Sequence, residues 1–489
     1  MVFHKDSYVV NKGPIQLQNV VGDSCTVCVS EDFENKDGGC VCMRKMYVAA
    51  LASLIMAVAM GFATGWSAPA TYDMTTNLDS PVNPSETEVA WIGSTIALGA
   101  MAGGIFSGPL ADKIGRKDIL IFNIVPFLTG WLLISFAKSV TWIITGRLFC
   151  GIACGVISVT VPMYCVEIAT PEVRGLLGSS YQGFLVIGSF LSAIFGSYVS
   201  WIHLSLISAL CATIGLICFS TMPETPRWLL AKDRLYDAII VMQNLQGPYV
   251  NAEEECKIIY KDLGNQPKGS LTLKEFKHPT VFKPALLSVA LMFFQQFSGA
   301  NSILYYSSSI FEVSKEFLDP KNSTIVLGAV QVVATLMGNL VVDKAGRKLL
   351  LILSGSIMAI SSGALGAYYY VSNENSLGIE KYNWVPLTSL IIFVIAFSIG
   401  YGSIPWLLVP EMVPVRARSI VSGIATIANG LFAFSVTKSF SDLRTAIGTH
   451  FTFWSYSIIC ILGVFFTGFL VPETKGKKLE DISKVFTGS

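Results

Sequence analysis

The hexapeptide Asp112-Lys113-Ile114-Gly115-Arg116-Lys117 returns as Asp343-Lys344-Ala345-Gly346-Arg347-Lys348, and each copy follows the second long apolar run of its half of the chain. Other charged punctuation repeats in the same order. Glu167 precedes Arg174 by seven residues and Glu411 precedes Arg418 by seven; Pro223-Glu224-Thr225 closes the first half and Pro472-Glu473-Thr474 the second. Duplicated charges between apolar runs of membrane length leave few folds open. The arrangement predicts two similar helical bundles about one central path.

Composition agrees. Charged residues are 14% and hydrophobic residues 52% of 489, and the mean hydropathy is +0.58. Soluble domains carry about a quarter charged residues, so most of this chain belongs in lipid. Apolar runs of about twenty residues, enough to cross a bilayer as helix, fall near 46–68, 88–110, 118–137, 142–165, 176–198 and 202–222. Six more fall near 284–309, 323–342, 348–371, 385–410, 417–438 and 450–471. The expected fold is an all-α membrane protein of twelve spans in two pseudo-symmetric six-helix bundles. Its parts are a tail (1–45), a first bundle (46–222), a helical linker (223–283), a second bundle (284–471) and a closing tail (472–489). The polar opening residues hold no apolar core or cleavage site, so no signal peptide is expected.

With both termini and the linker in the cytosol, 27 of the 34 Lys and Arg lie on the cytosolic side and seven outside (Lys138, Arg147, Lys315, Lys321, Lys381, Lys438 and Arg444). The one glycosylation sequon, Asn322-Ser323-Thr324, then faces outward. A net charge of +1 gives no pull on nucleic acid. Cys25, Cys28, Cys40 and Cys42 have spacings able to hold zinc. Reduced thiols in a cytosolic tail are the preferred reading, with acylation of Cys40 and Cys42 beside the membrane left open, so no metal or cofactor is expected.

The seventh run carries Gln295-Gln296-Phe297-Ser298-Gly299-Ala300-Asn301. On a straight helix Gln295, Ser298, Ser302, Tyr305 and Ser309 share one stripe and Gln296 points elsewhere; Gly299 permits a bend that re-aims Asn301. Polar groups at membrane depth need partners or water. Uncharged amides and hydroxyls suit a neutral solute rich in hydroxyls, because an amide donates and accepts together. Interhelical hydrogen bonding is the competing role, most of all for Ser302 and Ser309.

Together the paired D-K-x-G-R-K motifs, P-E-T-P-R-W at 223–228, P-E-T-K-G-K at 472–477 and Q-Q-x-S-G-x-N are specific. The chain resembles the sugar porters of the major facilitator superfamily from its first span to its tail. The resemblance extends to facilitative hexose transporters and arthropod facilitated trehalose transporters. It implies sugar contacts at Gln182, Gln295, Gln296, Asn301, Gln331, Trp406 and Asn429. Three positions depart from the hexose pattern: Gln331 replaces Asn, Ser398 replaces Glu and Gly430 replaces Trp. These swaps alter volume and hydrogen bonding, and a roomier site suits a disaccharide.

The same resemblance bears on mechanism. Proton-coupled porters need a titratable carboxylate in the bundle, and Ala63 stands where an acid or amide is usual. No span carries a central acid, so facilitated uniport of trehalose, glucose or a similar sugar is expected, ahead of proton symport. A non-transporting sugar receptor is the reading from another class; it usually has long cytosolic extensions. Asp112, Arg116, Glu167 and Arg174 in the first bundle, and Asp343, Arg347, Glu411 and Arg418 in the second, are expected to form a cytosolic gate. The competing role for these charges is to fix topology and cap helices. No Ser/His/Asp, H-E-x-x-H or nucleotide-binding glycine pattern points to an enzyme. The cell membrane follows from the resemblance.

Overall fold

The computed structural model describes residues 38–77, 80–170, 173–247, 251–265, 273–311, 319–374, 382–413 and 417–475, and no strand occurs among them. For some residues inside these ranges, Ser309 and Asp343 among them, only the backbone is described. The cysteine side chains at 25, 28, 40 and 42 lie outside the described residues.

Among the described residues, twelve helices are long and apolar enough to span a membrane. The first bundle holds Lys45–Thr76, Glu86–Ile114, Arg116–Ser135, Val140–Ile168, Arg174–Tyr198 and Trp201–Ser220. The second holds Pro279–Tyr305, Asn322–Val342, Arg347–Ser372, Val385–Met412, Ile420–Ile447 and Thr449–Leu470. Between them run linker helices Pro226–Ala231, Leu235–Gln246 and Ala252–Asn265, whose Leu229, Leu230, Ala238, Met242 and Cys256 form a small core of their own. Pro226 starts the first of these where a missing N–H costs nothing, and the Thr225 hydroxyl caps it at the Trp228 N–H.

Three of the charges assigned to the outer side lie on span helices. The eleventh span continues to Ile447, so Lys438 and Arg444 belong to a helix rather than a loop; Ser and Thr dilute its apolar signal after residue 438. Arg147 lies within the fourth span and is fully buried.

At the repeated hexapeptides the geometry is duplicated as well. Gly115 and Gly346 take φ of +112° and +92° to turn one span into the next. Each turn is closed by a glutamate from the Pro-Glu-Thr that ends its bundle. Glu224 Oε2 accepts from the Lys117 N–H at 2.9 Å, and Glu473 accepts from the Arg347 and Lys348 N–H groups at 3.1 Å. A carboxylate at a helix N-terminus meets orphan donors and the positive end of the dipole. Arg116 Nη2 reaches Glu167 at 3.1 Å and Asp112 at 3.0 Å, while Arg347 reaches Glu411 at 3.3 Å. Thr225 and Thr474 donate to those same glutamates, both at 2.6 Å.

The second span packs on the eleventh and the fifth on the eighth, which joins the bundles laterally. Opposite the linker they also close together. The last turns of the first span meet the seventh, Arg444 pairs with Glu86 at 3.6 Å, and the Lys438 ammonium sits 5.5 Å from the Trp91 ring centre. The path between bundles is therefore shut at the far face and open toward the linker face.

Candidate substrate site

Two span interruptions build the site. The seventh helix stops at Phe297; Gly299 takes φ +85°, a left-handed turn, and the helix resumes at Ala300. A Cβ at Gly299 would overlap the Tyr456 ring, so only glycine fits. The tenth span breaks between Ile399 and Ile404, and its Tyr401 and Gly402 carbonyls accept from Gln295 Nε2 at 2.7 and 3.1 Å. Gln295 Oε1 in turn accepts from Asn429 Nδ2 at 2.8 Å. Asn301 Nδ2 donates to Gln296 Oε1 at 2.5 Å. Broken helices are tolerated at membrane depth where they line a cavity and side chains satisfy the freed backbone.

Two adjoining cavities lie between the bundles. The inner one, about 200 Å³, is walled by Gln182, Gln295, Gln296, Asn301, Gln331 and Trp406, among others. The outer one, about 470 Å³ and nearer the linker face, is walled by Asn429, Trp406 and Gln182 with Met60, Met101 and Gly430. All seven residues expected to contact substrate thus face one continuous path. Gln182 and Gln331 are half-buried and make no side-chain hydrogen bond to a described residue. Among the described residues, no charged side chain lines either cavity.

The straight-helix stripe holds only in part: Gln295 and Tyr305 line the inner cavity. Ser298 and Ser302 turn away: Ser302 Oγ donates to the Val436 carbonyl at 3.0 Å, and Ser298 Oγ to its own helix at Gln295 O. Gln296, expected to point elsewhere, lines the cavity instead. The left-handed residue resets the helix phase for Asn301 and Ser302, which follow it, while Gln296 and Ser298 precede it. Ser309 lies outside the described side chains. Ser398 is buried, with no partner for its hydroxyl.

Arg147, counted among the outer-side charges, is a buried cation bonded to the first and second spans. Its Nη1 donates to the Ala63 carbonyl at 2.6 Å, Nη2 to Ser67 Oγ at 2.5 Å and Nε to the Ile92 carbonyl at 3.3 Å. Its guanidinium carbon stands 5.0 Å from the Trp66 ring centre. The first-span helix is interrupted just there, at Trp66, so at Ala63 the cation meets a carbonyl at a helix end, while Ile92 lies inside the second span's helix. No described carboxylate pairs with it. A single arginine between Gly146 and Leu148, inside an apolar run, was the signal that sequence reasoning passed over.

The expected gate residues gather only partly. Asp112, Arg116 and Glu167 cluster, as do Arg347 and Glu411. Arg174 is exposed, Arg418 keeps a buried Nε without an acceptor, and the Asp343 side chain lies outside the described residues. Burial pushes the Glu224 carboxyl above its ordinary range, against the N–H groups of Thr225, Lys117 and Arg116 and the Arg116 charge. Burial also pushes Glu473 upward, but N–H groups of Lys475, Arg347, Lys348 and Thr474 outweigh it and hold that carboxyl below its ordinary value. Asn322 is exposed in the opening turn of the eighth-span helix, on the far face.

A family model described as sugar (and other) transporter matches residues 45–486. The facilitated trehalose transporter Tret1 of Bombyx mori is 35% identical over 494 residues, covering 99% of this chain and 96% of that one. The solute carrier family 2 facilitated glucose transporter member 8 of Bos taurus is 36% identical and covers 91% and 95%. Among solved structures, the partially occluded inward-open xylose transporter XylE from E. coli has a TM-score of 0.74 at 24% identity, over 89% of this chain and 100% of that one. That likeness is one of fold.

Proposed function

The chain belongs to the sugar transporter family, and from that premise we propose that it carries a neutral mono- or disaccharide, trehalose or glucose, down its gradient by alternating access. The observation that carries the reading is an uncharged, amide-rich cavity between two bundles, closed on one face and open on the other. Gln182, Gln295, Gln296, Asn301, Gln331 and Asn429 would exchange a sugar's water shell for protein hydrogen bonds. The Trp406 ring would cover a C–H face of the sugar. Gln295 and Asn429 are bonded to each other, so a sugar that uses both must re-pair them. Each contact left unmade costs about 1–3 kcal/mol, enough to set substrate preference.

Uniport rests on electrostatics. Among the described residues, the cavity walls offer no carboxylate to take a proton, and Arg147 is held by carbonyls and a hydroxyl. A charge at the bilayer centre costs about 2.5–3.5 kcal/mol on insertion scales. This one is met by fixed dipoles that do not titrate, so a proton gradient has no group to act on. The charge networks at Arg116 and Arg347 would bridge the bundles when the linker face shuts.

The linker face is taken as cytosolic and the membrane as the cell membrane, which puts Asn322 outside as a glycan acceptor. A glycosidase-sensitive mass, lost in Asn322→Gln, is the expected result; if the glycan attaches only to an acceptor engineered into the linker, the orientation is reversed. Function is tested by uptake of labelled glucose and labelled trehalose in oocytes. Saturable flux of at least one sugar is expected, falling tenfold or more in both Gln295→Ala and Trp406→Ala. Unchanged flux in both variants would refute the site.

A further inference from the structure

The two cavities differ in size and in chemistry. The inner one, about 200 Å³, is smaller than the 300–1,000 Å³ usual for a drug-sized ligand and is lined by five amides. It fits one sugar ring. The outer one, about 470 Å³, falls within that range, and its wall is mostly apolar: Met60, Met101, Leu407 and the Trp406 ring. Its polar groups are the amides of Gln182, Asn339 and Asn429 and a set of hydroxyls that includes Thr426, Ser158 and Ser403; together they expose less surface than the apolar wall. Gln182, Leu185 and Trp406 border both cavities, so the indole stands at the junction rather than at the floor of a single site.

We infer that the outer cavity is a second-ring subsite, and that a neutral disaccharide binds astride Trp406 with one ring among the amides and the other in the outer cavity. The inference rests on the sugar-carrier reading and names the substrate class for it. A pyranose has polar edges and apolar C–H faces. The inner ring has its edges met by amides. The outer ring needs a wall that takes its faces, with scattered hydroxyl partners at its rim. Sugar hydroxyls on the linker side stay solvated while that face is open, so sparse polar groups there leave few donors unpaired.

The width of the outer cavity is set by small residues. A Cβ at Gly430 would stand 2.7 Å from Met101 Cβ, so any side chain there forces the second and eleventh spans apart or fills the cavity. Ser158 on the opposite wall bonds only to its own helix, at the Gly155 carbonyl. A larger residue there enters the cavity without breaking a contact between spans.

The test compares labelled trehalose with labelled glucose in oocytes for the intact chain, Ser158→Phe and Thr426→Leu, at surface amounts matched by biotinylation. The ratio of trehalose to glucose kcat/KM is expected to fall at least tenfold in Ser158→Phe and to fall less in Thr426→Leu. A ratio within twofold of the parent in both variants overturns the second-ring subsite. So does a parent chain that carries glucose and no trehalose, which leaves the carrier reading standing. A parent chain that carries neither sugar overturns both.

Discussion

Glu224 and Glu473 occupy equivalent places in the two bundles, yet their protonation is pushed in opposite directions. For Glu473 the native carboxyl lies below its ordinary 4.5. The stability it contributes is present above that value and is lost as pH falls through the lower native one. Replacing it by Gln should cost about 1 kcal/mol at pH 7, the order of a charged acceptor's advantage over a neutral one. The difference in detergent melting temperature should close as the sample is acidified below 4.5. Glu224 runs the other way. Its raised native value means that ionisation disfavours the fold as pH rises past the ordinary range, so Glu224→Gln should cost less at pH 7 than Glu473→Gln. Equal losses at pH 7, or a Glu473→Gln deficit that persists in acid, would contradict the asymmetry. The residue types were legible in the repeated Pro-Glu-Thr, but their role as caps of the hexapeptide turns was not. That role depends on a contact across more than a hundred positions, which no local pattern encodes.

At the scale of the element, regular helices were legible and their interruptions were only half so. Apolar runs located all twelve spans because each needs about twenty residues to cross lipid. Gly299 was recognised as a point of bending. Its left-handed turn, and with it the re-phasing that sets Asn301 at the cavity beside Gln296, lay beyond a straight-helix argument. Gly299→Ala tests this directly. An L side chain in left-handed backbone costs about 1–2 kcal/mol, and here the added methyl also meets Tyr456. Lowered melting together with at least a tenfold loss of sugar flux is expected. Wild-type flux in that variant would show that the interruption is not needed to place the amides. Arg147 marks the opposite failure. Counting it among the outer-side charges hid a buried cation whose partners are two backbone carbonyls and the Ser67 hydroxyl, which carry no sequence signature.

Across the whole molecule, the repeat of charged motifs foretold two bundles, and the apolar composition foretold that they sit in a bilayer. The sequence holds no signal for which face would be open. The far face is tied by Glu86–Arg444 and by Lys438 against Trp91, while the Arg116 and Arg347 networks reach glutamates of their own bundles. An uncharged path that opens to one side at a time can equilibrate a sugar but has no means of concentrating it. The direct measurement is sugar entry into proteoliposomes of the purified chain under an imposed inward proton gradient. The predicted course is saturable entry that stops when inside and outside concentrations are equal, at the same rate with or without the gradient. Accumulation above the outside concentration, or sugar-driven acidification of the lumen, would contradict it.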